Sequence, residues 1–99
     1  MSFVTTQPEV LAAAAGNLAG IGSAMSAHNA AAAGPTTGAV PAAADEVSAI
    51  TAAQFAVHAQ VYQTVGAQAI AIHQIVVDTL VTSADSYAAT EAANTAAAD

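Results

Sequence analysis

Large apolar residues recur at helical spacing in two blocks, separated by one break rich in glycine and proline. In the first block Val10, Leu11, Leu18, Ile21 and Met25 fall in an arc of roughly 100° at about 100° per residue. Leu11, Ala14, Leu18, Ile21, Met25 and His28 keep strict 3-4 spacing, which predicts a helix over about 8–33 with one packing seam. In the second block Val47, Ile50, Phe55, Val57, Val61, Tyr62, Val65, Ile70, Ile72, Ile75, Val76, Val77 and Leu80 spread over roughly 200° of a helix spanning about 42–83. Its polar remainder is compact: Asp45, Gln60, Gln63, Gln74, Asp78 and Asp85. The break, Gly34-Pro-Thr-Thr-Gly-Ala-Val-Pro41, is short enough to make the two helices antiparallel neighbours. The chain thus reads as one all-α domain over 1–99, a two-helix hairpin followed by an alanine-rich tail at 84–99.

Local signals place the helix starts. Thr6 can cap the first helix, Pro8 suits the first turn, and Glu9 stands where a capping-box acid belongs. Pro41, Asp45 and Glu46 mark the second start in the same way. Gly16, Gly20 and Gly22 each cost about 1 kcal/mol of helix propensity and would let a neighbouring backbone come close.

A helix needs only about 100° of apolar face to pack on one neighbour. The second helix carries about twice that, so a surplus face remains after the hairpin closes. Such a strip marks an interaction site. Composition sharpens the deficit. The hydrophobic fraction is 56%, but 31 of the 99 residues are alanine, each methyl being worth only about 0.8 kcal/mol on burial. The chain is therefore expected to fold poorly or self-associate alone, and to need a partner protein to complete its core.

Charge excludes several classes. With no Lys or Arg and seven acids, the formal charge is −7. Nothing can neutralise phosphates, so no nucleic acid is expected as a partner, and an anionic membrane surface would repel the chain. There is no basic, apolar leader of the cleavable kind, and the best apolar stretch, Val65–Val77, is broken by Gln68, His73 and Gln74 before it reaches a span of roughly 18 residues.

Candidate chemistry is sparse. His28, His58 and His73 are too dispersed to converge on one ion, which needs three or more ligands. The chain lacks Cys, a nucleophile elbow and a phosphate-binding lysine loop. No catalytic residue, cofactor, metal or small-molecule substrate is expected. Tyr87 and Glu91 stand four apart, on one face of any helix there; by spacing alone they are an incidental pair.

The start Met-Ser-Phe-Val with Pro8-Glu9 behind it, the alanine-rich first helix, the stretch Val40-Pro-Ala-Ala-Ala-Asp-Glu-Val-Ser48 and the ending Tyr87-x-x-x-Glu91 together resemble the PE family of mycobacterial proteins. The resemblance covers the whole chain, and it looks like a member made of the PE domain only. It implies a non-enzymatic protein that forms a heterodimer with a PPE family protein, the antiparallel hairpin lying along two helices of that partner to complete a four-helix bundle, and export of the pair by type VII secretion. It assigns Tyr87 and Glu91 to the export signal, and expects a secretion chaperone to bind indirectly, through the PPE partner. The protein would be cytoplasmic before export and secreted or at the cell surface after it, where a role in host interaction and virulence is implied. The expected partner interface is Leu11, Leu18, Ile21, Met25, Val47, Ile50, Phe55, Val57, Val61, Tyr62, Val65, Ile72, Val76 and Leu80. An alternative is a component of an outer-envelope pore or transport complex formed with that partner; liposome flotation with and without the partner separates the two.

Overall fold

The computed structural model describes residues 4–99 and contains two helices, α1 (Pro8–Thr37) and α2 (Glu46–Ala98), with no strand among those residues. Met1, Ser2 and Phe3, at the start of the family-like pattern, lie outside the described residues.

Helix ends differ from expectation in three places, each for a local reason. The first helix runs past Gly34-Pro35 to Thr37. Pro35 removes one N–H, but the Thr36 and Thr37 hydroxyls donate to the carbonyls of Ala32 and Ala33, and the Gly38 N–H closes on the Gly34 carbonyl at 3.0 Å. Of the last four carbonyls of the helix, that of Gly34 is thereby satisfied. The second helix starts at Glu46 rather than near 42, because Asp45 is its cap. Asp45 accepts the Ser48 N–H and the Ser48 hydroxyl, both at 2.8 Å, which leaves Pro41 in the loop. Finally, the tail is helical to Ala98. No Gly or Pro follows Gly66, and alanine is the strongest helix former, so nothing stops the helix at 83.

Two compact units form. One joins Met1–Ile21 to His73–Asp99; the other is Gly22–Ile72. In each, a stretch of α1 lies antiparallel to a stretch of α2. In the first unit Thr6 meets Glu91 and Leu18 meets His73. In the second Asn29 meets Tyr62 and Gln63.

Most of the side chains between the helices are small or polar, with Leu11, Leu18, Ile70, Val77 and Leu80 as the larger apolar ones. Among the described residues the buried ones are Ala15, Ala52, Ala59, Val77 and Ala84. The covered positions of α2 follow a 4-3 spacing: Ala52, Ala56, Ala59, Gln63, Gly66 and Ile70 in one unit, then His73, Val77, Leu80 and Ala84 in the other. On α1 the matching positions are Leu11, Ala15, Leu18, Gly22 and Asn29. The sequence seam was therefore offset by one residue at three of its positions: Ala14, Ile21 and His28 are exposed, while Ala15, Gly22 and Asn29 face α2. Gln63 also moves from the expected polar face to the seam.

The polar seam residues are satisfied by backbone. Gln63 Nε2 donates to the Asn29 carbonyl at 2.9 Å, and His73 Nε2 lies 2.6 Å from the Leu18 carbonyl. The close approach predicted at the glycines of the first helix is absent from Gly16 and Gly20, where an added Cβ would meet nothing within 4 Å. It occurs on α2 instead. A Cβ on Gly66 would stand 2.9 Å from Asn29 Nδ2. Gly66→Ala is expected to be nearly neutral, since Asn29 can yield and helix propensity improves by about 1 kcal/mol. Gly66→Leu has no such room and should cost about 1–3 kcal/mol by overpacking, read as a loss of helix at lower temperature than the parent chain in circular dichroism.

Both helices also contain an 18-residue window apolar enough, by length and composition, to cross a membrane. This revises the expectation that no stretch reaches that length. Core helices of soluble proteins pass the same test.

Candidate partner interface and C-terminal motif

The hairpin sorts its side chains by size. Relative to the seam of α2, the residues Ile50, Val57, Val61, Val65, Ile72, Ile75 and Val76 occupy an arc of roughly 100° on the opposite side. The 200° apolar arc of the sequence is thus two faces, a small-residue face turned to α1 and a large-residue face turned to solvent. Gln60, Gln74, Asp78 and Asp85 line one boundary between them.

Each unit leaves its own apolar surface open. In the Gly22–Ile72 unit Val47, Ile50, Phe55, Val57, Val61, Tyr62, Val65 and Ile72 of α2 and Met25 of α1 are exposed. In the other unit Val10, Ile21, Ile75, Val76 and Val81 are exposed. Leu11, Leu18 and Leu80, also expected at the partner interface, are half-buried on the hairpin's own seam. At the loop end of the Gly22–Ile72 unit, Phe55, His58 and Tyr62 line an apolar groove of 480 Å³ with Pro35 and Thr36.

The accessible surface is 7065 Å² for 9.5 kDa. A folded monomer of that mass is expected to expose roughly 5,000 Å². The difference, about 2,000 Å², is of the order one side contributes to a large obligate interface.

The C-terminal pair sits differently. Tyr87 is 48% exposed on α2. Glu91, one turn later, is half-buried and engaged: its Oε1 accepts the Thr6 N–H at 2.9 Å and the Thr6 hydroxyl at 2.8 Å. The Thr6 hydroxyl, expected to cap α1, is thus directed to Glu91, and the Gln7 carbonyl accepts the first backbone bonds of α1, from the Val10 and Leu11 N–H groups. Pro8 and Glu9 open that turn as expected.

The Thr6 N–H, and next its hydroxyl, lower the Glu91 pKa below its ordinary value; partial burial opposes them. Asp45 is lowered likewise by the Ser48 N–H and hydroxyl. A depressed folded-state value stabilises the fold above the ordinary carboxylate range, and that contribution is lost as pH falls through the folded value. In an NMR titration the Glu91 carboxyl is expected to titrate below an ordinary glutamate and to return towards it in Thr6→Pro.

Among the described residues no group of three His, Cys, Asp or Glu could hold a metal ion. His28 and His58 are exposed, and His73 is on the seam.

A family model described as PE family matches residues 4–94. The chain belongs to the PE family. PE family protein PE13 of Mycobacterium tuberculosis is 65% identical to it over 98 residues, 99% of each chain. PE8 of the same species is 54% identical over 98 residues, which make up 36% of PE8. PE-PGRS family protein PE_PGRS33 is 58% identical over 96 residues, 97% of this chain but about a fifth of that relative. The PE domain thus recurs in proteins of very different length. In this PE chain the dipeptide Pro8-Glu9 opens α1, and the motif residues Tyr87 and Glu91 lie on helix rather than in a loose tail.

Proposed function

We propose that this PE chain is the non-enzymatic half of a heterodimer with a PPE family protein, exported by type VII secretion. Two partner helices lie along the large-residue face of α2 and the exposed side chains of α1, completing a four-helix bundle. Tyr87 and Glu91 stand beyond that core as the export signal. A chaperone engages the pair through the PPE chain. The pair is cytoplasmic until export and then secreted or held at the cell surface.

One observation carries this reading: among the described residues the hairpin buries four alanines and a single valine, Val77, and leaves Val47, Ile50, Phe55, Val57, Val61, Val65, Ile72 and Ile75 more than half exposed. A monomer selected to stand alone would do the reverse. The acidic charge of −7 with no basic residue also suits a partner with basic groups at the rim.

The test is co-expression with a PPE chain. Co-elution as a one-to-one complex with a sharp melting transition is expected, and a PE chain that stays alone against every PPE chain of its own genome would reject the pairing. For export, Tyr87→Ala and Glu91→Ala are each expected to lower the secreted fraction at least tenfold while leaving the complex intact; normal secretion of both would reject the signal.

A further inference from the structure

Residues 4–7 are not helical, yet they are tied to the far end of the chain. Both donors of Thr6 converge on one oxygen of Glu91, across 85 positions of sequence. The same place holds a cleft of 610 Å³ between Val4 and Thr5 on one side and Asn94, Thr95 and Ala98 on the other, with Glu91 at its edge. The Thr6 hydroxyl donates to Glu91 rather than lying on the first turn of α1. A carboxylate read directly by another protein would have to offer its oxygens outward; here one oxygen already has two donors, and the side chain is half-buried.

We infer that Glu91 serves export as a clasp, fixing residues 4–7 beside the last turns of α2, and that the secretion machinery recognises Tyr87 together with this clasped N-terminal segment. The inference rests on the reading of Tyr87 and Glu91 as an export signal and adds Thr6 to it as a positioning residue. The requirement at position 91 is then a hydrogen-bond acceptor of the right length rather than a negative charge. Gln keeps an acceptor oxygen at the same distance from the backbone; Ala keeps none.

The test compares secretion of the full chain with its partner. Glu91→Gln is expected to secrete at least threefold more than Glu91→Ala. Thr6→Val, which loses one of the two bonds, should secrete several-fold less than the parent. Thr6→Pro, which loses both, should match Glu91→Ala. Thr6→Val placed on Glu91→Ala should lower secretion no further, since the two residues act through one contact. Equal loss in Glu91→Gln and Glu91→Ala, or parental secretion of Thr6→Pro, overturns the clasp as the role of Glu91. Co-purification with the partner is the control for folding. Hydrogen exchange separates the two readings: the Thr6 amide in the complex should be protected in the parent and in Glu91→Gln, and fast in Glu91→Ala. A fast amide in the parent overturns the clasp whatever the export data show. Normal secretion of both Tyr87→Ala and Glu91→Ala, with a protected amide, would reject the export signal and leave the clasp as a structural contact.

Discussion

Val61→Asp is expected to abolish co-purification with the proposed PPE partner while leaving the helix content of the isolated PE chain equal to that of the isolated parent. Val61 is 55% exposed, at the middle of the outward arc between Val57 and Val65. On a solvent-facing helix surface such a change lies within about 0.5 kcal/mol of neutral. Inside an interface the same carboxylate would be desolvated with no cation opposite it. Burying an unpaired charge costs several kcal/mol, enough to lower affinity a thousandfold or more. Two controls fix the interpretation. Gln60→Asp adds the same charge one residue away, on the polar boundary, and should leave pairing intact. Ala59→Asp places it on the buried seam with α1 and should unfold the hairpin itself. Retained pairing in Val61→Asp would show that the partner does not lie on this face.

The contrast between positions 59 and 61 also explains what the sequence could and could not reveal. Period and loop composition were enough for two antiparallel helices and for a surplus apolar face. They misplaced the seam because a pattern reading takes the largest apolar residues as the ones that pack together. Here Ile21 is open and Gly22 faces α2. Asn29, Gln63 and His73 could not be found on the seam, since Gln63 and His73 bond to backbone carbonyls of Asn29 and Leu18, and a carbonyl carries no signature in sequence. The helix ends depended on bonds of the same kind: Thr36 and Thr37 carry α1 past Pro35, and Ser48 lets Asp45 rather than Pro41 open α2. The Tyr87–Glu91 spacing was visible from the start. Its tie to Thr6 was not, because no local rule links residues 85 positions apart.

Purified without a partner, the chain is expected to show weak, gradual loss of helix on heating and to self-associate, rather than to melt as a cooperative monomer. Among the described residues the buried side chains are four alanines and one valine, and an alanine methyl contributes only about 0.8 kcal/mol on burial. Isolated helices gain most of their stability from packing an apolar face, and in this hairpin the strongest face packs against nothing. Adding a helical partner should change the transition from gradual to sharp and make its midpoint depend on partner concentration, as linkage requires when only the folded form binds. Circular dichroism melts at several ratios, with sedimentation to report mass, provide the measurement. A monomeric chain with a sharp melt, indifferent to partner, would mean that the small-residue seam suffices by itself and that the outward apolar face has some other purpose.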